Sequence, residues 1–318
     1  MNSFRQNDGQ ARSLAHCNAV FQIDSEVPKW NFVSNRRGFM SVVTPAHIEQ
    51  YRRDGAVLIK GALSSADVAQ LERGIEQCYR EERGPATVVE GGATGGATVV
   101  RDYASMESPV LADLLGSGRI GAIGSALMQA PSAQLILDQV FYKAGGPVVA
   151  TPWHQDTPFL RVRGESIVRL WFPCDFSPRH LTVQVLRGSH RWDMIFSTQV
   201  RSGDPSAKEG ATGIGDPGMP MVPDVARFPE SFDILTFDVA PGDVLAFQGN
   251  VVHGAGGHPN HPTPRRAYAV LLGGPDVHYH APRGKAFPSP GRMRGLRAKD
   301  DIPDAAKIGA YPDAFPVC

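Results

Sequence analysis

Beyond about residue 130 this chain is written in short extended runs, 135–143, 167–173, 182–186, 244–248 and 267–272, broken by glycine and proline. Runs of four to ten residues rich in β-branched and aromatic side chains read as strands, and that punctuation excludes a helix bundle. The 34 glycines and 26 prolines supply the turns such a sheet protein needs. The first part of the chain reads differently. Thr44 is placed to cap a helix that has Pro45 at its first position, and the pattern becomes extended at Val57-Leu58-Ile59. Ser64 or Ser65 caps a second helix, in which Val68, Leu71, Ile75 and Cys78 recur at helical spacing with Glu72, Arg73 and Glu76 between them. Such an amphipathic helix is expected to cover the outside of a sheet. Residues 107–128 read as two further short helices, the glycine-rich stretch 91–98 as a flexible loop, and the irregular interval 202–230 as a lid or binding loop. The expected organisation is an N-terminal arm over 1–43, one mainly β domain with flanking helices over 44–280, and an extension over 281–318 packed on that domain.

Composition limits the partners. Lys plus Arg and Asp plus Glu number 32 each, so no overall field draws the protein to nucleic acid or to a membrane surface. A small molecule is the expected partner, and self-association is left open. The segment Met1 to Arg12 is polar, and no run of about 18 apolar residues occurs, which points to the cytoplasm. The four cysteines, Cys17, Cys78, Cys174 and Cys318, show no CxxC spacing, so neither a zinc cage nor a disulfide framework is expected.

The chemistry concentrates at Thr151-Pro152-Trp153-His154-Gln155-Asp156. On an extended strand, residues i and i+2 share a face, so His154 and Asp156 can grip one cation while Gln155 points away. A second histidine, His253, follows an apolar run, Val244-Leu245-Ala246-Phe247, that opens from a Pro241-Gly242-Asp243 turn and can deliver it from another strand. Two imidazoles and one carboxylate on one face of an octahedron leave three positions open, the donor set of non-haem Fe(II) enzymes that activate O2. By itself His-x-Asp is a common tripeptide and fits a surface histidine equally well.

Several segments in order make the reading specific. Tyr51-Arg52-Arg53-Asp54-Gly55, Trp153-His154-Gln155-Asp156, Leu186-Arg187-Gly188-Ser189-His190, Pro241-Gly242-Asp243, and His253-Gly254 with Arg265-Arg266-Ala267 downstream resemble the phytanoyl-CoA dioxygenase family of Fe(II)/2-oxoglutarate oxygenases. The resemblance implies a double-stranded β-helix, a cupin-like jelly-roll barrel with helices on one sheet. It implies Fe(II) held by His154, Asp156 and His253, with 2-oxoglutarate and O2 as cosubstrates, succinate and CO2 as products, and most simply the hydroxylation of a C–H bond. It also implies that an arginine after the second histidine holds the distal carboxylate of 2-oxoglutarate. Arg265 is the first choice and Arg266 the alternative, since strand alternation turns only one of them inward.

By the same resemblance Gln139 and Lys143, four apart on one strand face, and Trp171 on the strand after the His-Asp pair are expected beside the keto acid. A solvated face for the first two and a plain core role for Trp171 compete with that assignment. Phe159, Arg161 and the loops at 90–104 and 202–230 are the expected substrate contacts. Arg187 replaces the family's usual proline. Asp156 is retained where halogenating relatives carry a small residue, so halogenation is disfavoured. Two readings from other classes stay open: a non-catalytic cupin-like binding protein, and a zinc hydrolase using the same three ligands.

Overall fold

The first helix, α1 (Pro45–Asp54), starts where the sequence places it: Thr44 Oγ1 accepts from the amide of His47, and His47 Nδ1 accepts from the amide of Thr44, 3.3 and 3.2 Å. Reciprocal capping of this kind satisfies two of the amides a helix start leaves open. The computed structural model describes residues 42–81, 86–90, 97–143, 145–148, 150–197, 218–281, 302–311 and 314–318. All but the last two residues of the expected N-terminal arm, Val42 and Val43, lie outside them. The described residues all belong to one unit, within Asn31–Cys318.

Ser64 caps α2 (Ser65–Arg80) in the same reciprocal way with Asp67, and Leu71, Ile75 and Cys78 form its buried stripe. The two short helices expected over 107–128 are α4 (Pro109–Gly116) and α5 (Arg119–Met128), preceded by a single turn, α3 (Ala104–Glu107). Among the described residues no single helix is long and apolar enough to cross a membrane. The pair α4 and α5 passes such a test only when taken together across a 49° bend, and its Leu111, Leu114, Leu115, Ile120, Ile123 and Leu127 are core side chains.

Seven strands form the larger, antiparallel sheet, in the order β1 (Ala56–Ile59), β11 (Val244–Gln248), β8 (Ile167–Pro173), β14 (Arg265–Gly273), β4 (Gln134–Lys143), β3 (Ala97–Asp102) and β2 (Ala86–Glu90). The smaller sheet runs β10 (Ile234–Leu235), β9 (Val183–Leu186), β12 (His253–Ala255) and β6 (Thr151–His154). Two-stranded pairs β13 (His258–His261) with β5 (Gly146–Val148) and β15 (His278–Tyr279) with β7 (Val162–Arg163) complete the set.

Strand alternation sorts the side chains into layers. On β14, Tyr268, Val270 and Leu272 join Leu71, Ile75, Leu111 and Ile120 of the helices in one apolar cluster. The opposite face of the same sheet contributes Ala56, Leu245, Phe247 and Trp171, which pack against Val183, Val185 and Leu235 of the smaller sheet. The molecule is therefore mainly β with flanking helices, a jelly roll of two facing sheets. Among the described residues these sheets stay separately hydrogen-bonded, so the expected barrel is a sandwich without closure.

Two departures from the sequence reading have physical causes. The stretch 91–98 was expected to be all loop, but 97 and 98 belong to β3, which pairs with β2 from Ala86↔Arg101 to Glu90↔Ala97. Residues 91–96 lie outside the described set, and the β-branched residues flanking the glycines are what make a hairpin there. Of the expected lid at 202–230, residues 218–230 are described, and Val222 and Val225 are buried with Phe196, Leu186 and Val252 on the outer face of the smaller sheet. Within the expected C-terminal extension, the described residues 302–311 and 314–318 put Ile302, Ile308 and Phe315 into a cluster with Ile136 and Leu271, while the amides of Leu135 and Cys318 donate to the carbonyls of Pro316 and Ala133.

Candidate active site

His154 and His253 are direct cross-strand partners on β6 and β12, and that register brings their rings to 4.2 Å between centroids. Their neighbours Trp153 and Val252 point to the outer face of the sheet, which turns both imidazoles inward, toward the larger sheet. Each Nδ1 is engaged by a carbonyl two residues back, His154 with Pro152 at 2.7 Å and His253 with Val251 at 3.0 Å. A carbonyl can only accept, so Nδ1 carries the proton and each Nε2 presents a lone pair.

Asp156 arrives differently from the sequence argument. The strand ends at His154, and Asp156 has helical angles, φ −73° and ψ −37°, at the head of a single 3-10 turn, Thr157–Phe159. A turn, not a strand pleat, delivers the carboxylate. Gln155 is fully buried and faces away: its Oε1 accepts from the amide of Phe196, while its Nε2 donates to the carbonyls of Met194 and Asn250. With Gln155 anchored there, Asp156 Oδ1 lies 3.9 Å from both imidazole Nε2 atoms, and the three donor atoms fall within 4.8 Å of one another.

Burial pushes the His154 imidazole below its ordinary pKa and takes His253 down to about 3, with the charge of His154 adding to the effect. Both rings are neutral at pH 7, the form that binds metals. For Asp156, burial alone raises the carboxyl, but Arg169, His253 and His154 outweigh it and the net shift is downward. Two neutral imidazoles and one carboxylate form a donor set that fits a ferrous ion. Phe247 packs 4.6 Å from the His253 ring and Phe159 stands edge-on to His154 at 5.7 Å, giving the donors an apolar wall.

The inner face of the larger sheet carries the other candidates. Arg265 pairs across strands with Lys143, and Ala269 lies between Gln139 and Trp171. Between this level and Arg265 the strand carries Ala267, so β14 presents only methyl groups on this face before the arginine. At the far end Arg265 Nη2 donates to Ser177 Oγ at 2.6 Å and to the Leu181 carbonyl at 2.8 Å. Its Nη1 is buried with no hydrogen-bond partner among the described residues. A buried guanidinium edge without an acceptor fits an anionic ligand group. Burial also brings the Lys143 ammonium down to about 8, and the adjacent Arg265 charge adds to that.

Arg266 turns the other way: it forms a two-pronged pair with Asp175, at 2.8 and 3.1 Å, and reaches Glu76 on α2 at 3.0 Å. Its charge is spent on tying the helix to the sheet.

Three features escaped the sequence reading. Arg169 stands in the middle of the apolar strand β8, buried, with Nη1 3.2 Å from Asp156 Oδ2 and Nη2 on Gln139 Oε1. The only signal for it was a lone charge inside an apolar run, which burial obliges to find a partner. Ser177 and Leu181 lie outside every motif. The third is a clamp behind the site that joins two of the resembling segments. Asp54 pairs with Arg187 at 3.0 Å, its carbonyl accepts from Gly188, and the Arg52 carbonyl meets His190 Nε2 at 3.2 Å. Gly55, at φ +81°, leaves no room for a side chain, since a Cβ there lies 2.5 Å from His190 Nδ1. Ser189 Oγ accepts from the amide of Val252, the residue before His253. Arg187, in place of the usual proline, thus supplies a partner for the buried Asp54.

Known structures share this arrangement of sheets and helices. The fold is similar to that of the epimerase SnoN in complex with Fe3+, alpha ketoglutarate and nogalamycin RO, at 20% identity over 86% of this chain and 97% of that chain, TM-score 0.61. It is also similar to the non-heme alpha ketoglutarate dependent carbocyclase SnoK from nogalamycin biosynthesis, at 17% identity over 88% of this chain and 99% of that chain, TM-score 0.61. A third is EctD from S. alaskensis with 2-oxoglutarate and 5-hydroxyectoine, at 19% identity over 86% of this chain and 90% of that chain, TM-score 0.61. No curated protein sequence matches this chain. At these identities the structural likeness speaks for the fold. The family model for phytanoyl-CoA dioxygenase (PhyH) matches residues 51–267, a span holding both imidazoles, the carboxylate and Arg265, and the chain belongs to that dioxygenase family.

Proposed function

We propose that this protein is an Fe(II)/2-oxoglutarate-dependent dioxygenase that hydroxylates an unactivated C–H bond of a small organic substrate: substrate C–H, 2-oxoglutarate and O2 give the alcohol, succinate and CO2. The observation that carries the reading is the pairing, between the two sheets, of three convergent metal donors with a buried arginine edge that has no acceptor among the described residues. Solved structures of the same fold, SnoN and EctD, contain Fe3+ with alpha ketoglutarate and 2-oxoglutarate, respectively. When bound, iron and the keto acid supply the oxidant. The protein's residues bind, orient and keep out water. His154, Asp156 and His253 hold the ion, while Arg265, backed by Ser177 and with Lys143 beside it, takes the distal carboxylate. Trp171 stands on the same sheet face between them, and Phe247 and Phe159 shield the donors. Epimerase and carbocyclase activities on this fold make the outcome a matter of where the substrate's C–H bond is held.

A cupin-like binding protein has no need of an inward carboxylate-binding arginine, and a zinc hydrolase using the same three ligands gives no Fe(II)–2-oxoglutarate absorption band. Incubation of anaerobically purified protein with Fe(II), 2-oxoglutarate and O2 is expected to release succinate, slowly even without substrate. The Fe(II)–2-oxoglutarate chelate is also expected to give a visible absorption band. No succinate and no band under any substrate screen sinks the proposal.

The electrostatics add a pH signature. Lys143 titrates at about 8 in the free protein, and an adjacent bound dicarboxylate raises that value. Below it the lysine is charged with and without ligand, so affinity for 2-oxoglutarate is flat. Above it binding must take up a proton, and Kd rises about tenfold per pH unit until the bound-state value is passed. Titration of the chelate band across this range is expected to show the break, and Lys143→Met is expected to flatten it.

A further inference from the structure

We propose that Arg169 is a positioning residue for the metal site: it holds Asp156 so that one carboxylate oxygen faces the metal and the other is withheld. The inference rests on the metal site proposed above. The two oxygens of Asp156 are already divided between partners. Oδ1 lies 3.9 Å from the Nε2 atoms of His154 and His253, whereas Oδ2 lies 3.2 Å from Arg169 Nη1.

Asp156 needs such a partner because it sits in a turn after the end of β6, where no strand neighbour fixes its side chain. Arg169 in turn is held on its other nitrogen. Its Nη2 donates to Gln139 Oε1, and Gln139 Nε2 donates to Asp102 Oδ1 at 2.7 Å. Gln139 and Asp102 are register partners on β4 and β3, so the relay from Asp156 runs through Arg169 on β8 across the larger sheet to β4 and β3. The planar fork of a guanidinium is what allows one side chain to grip both neighbours. A carboxylate free to rotate can chelate a metal through both oxygens and occupy a position that the keto acid or O2 requires. Arg169 blocks that mode by keeping Oδ2 engaged. In this scheme Gln139, expected at the keto acid, acts instead by tethering Arg169.

The test uses Co(II), whose visible absorption reports the number and geometry of ligands, titrated without oxygen into the full chain and four variants: Arg169→Gln, Gln139→Met, Asp156→Ala, and Asp156→Ala with Arg169→Gln. Arg169→Gln is expected to weaken Co(II) binding by about 10–100-fold, the usual range for residues that orient a ligand, and to change the band shape. Gln139→Met keeps both charges and only cuts the tether, so it serves if Arg169→Gln fails to fold. It is expected to change the band in the same sense with a smaller loss. Because Arg169 acts through Asp156, the double variant is expected to bind no more weakly than Asp156→Ala alone. A wild-type band in the folded single variants, or losses that multiply in the double variant, overturns the assignment. A wild-type chain that takes up no Co(II) overturns the metal site itself and the assignment with it, a failure visible before any variant is made.

Discussion

Replacing His253 by alanine is expected to cut succinate release by at least about 1000-fold, equivalent to about 4 kcal/mol of barrier. The side chain supplies one of three donors, it is buried, and its lone pair is aimed by the Nδ1 contact to the Val251 carbonyl. Neither cross-strand neighbour can take its place, since one is His154, already a donor, and the other is Val185. The loss should appear first as loss of the metal: iron content after anaerobic loading falls well below that of the wild type, and the chelate band disappears. The fold is expected to survive: the truncation gives up the ring contacts with Phe247 and His154, about 2–5 kcal/mol by the usual cost of core truncation. His190 gives the contrast. Its ring meets the Arg52 carbonyl at the end of α1 and touches no metal donor, so His190→Ala is expected to keep its iron while unfolding at lower denaturant. Retention of iron and of succinate release by His253→Ala overturns the role proposed for His253.

The parts of this structure that were legible in the sequence are those governed by neighbours a few residues apart. Thr44, Pro45 and Ser64 mark helix starts through contacts made within three positions, and the strand runs 167–173 and 244–248 coincide with β8 and β11. Alternation also separates Arg265 from Arg266, because adjacent residues on a strand must face opposite layers. What stayed hidden depends on which strands lie side by side. That β6 pairs with β12 places two imidazoles in contact, and no local pattern encodes this pairing. The turn at Asp156 was read as strand because His-x-Asp has the strand period, and tertiary contacts of Gln155 decide otherwise. Arg169 was overlooked since its partners, Asp156 and Gln139, come from two other segments. The segments 51–55 and 186–190 carry the family resemblance, but no local pattern in them says what they hold. Their contacts with each other and with Val252 show them to be the support behind β12.

Arg265→Met is expected to raise the KM for 2-oxoglutarate by about 100-fold while leaving kcat at saturating cosubstrate within a few-fold of wild type. The size follows from the loss of charge-assisted hydrogen bonds to a carboxylate, worth about 1.5–3 kcal/mol. The partition follows from chemistry: the distal carboxylate does not change during the reaction, so its partner contributes equally to ground and transition states and acts on KM alone. Arg265→Lys is expected to recover little, because an ammonium cannot donate to Ser177, Leu181 and a carboxylate in one plane. Stability should move the other way from most arginine truncations. Arg265 is desolvated with one nitrogen unpaired, and its charge faces Lys143 across the strand pair, so its removal relieves repulsion in the free protein. Arg266→Met supplies the opposite pattern: KM unchanged, stability lower, since that side chain joins Asp175 and Glu76 across the sheet–helix boundary. Steady-state succinate kinetics together with denaturant unfolding of both variants separate the two arginines. A shift in KM from Arg266→Met with none from Arg265→Met reverses the assignment of the carboxylate site.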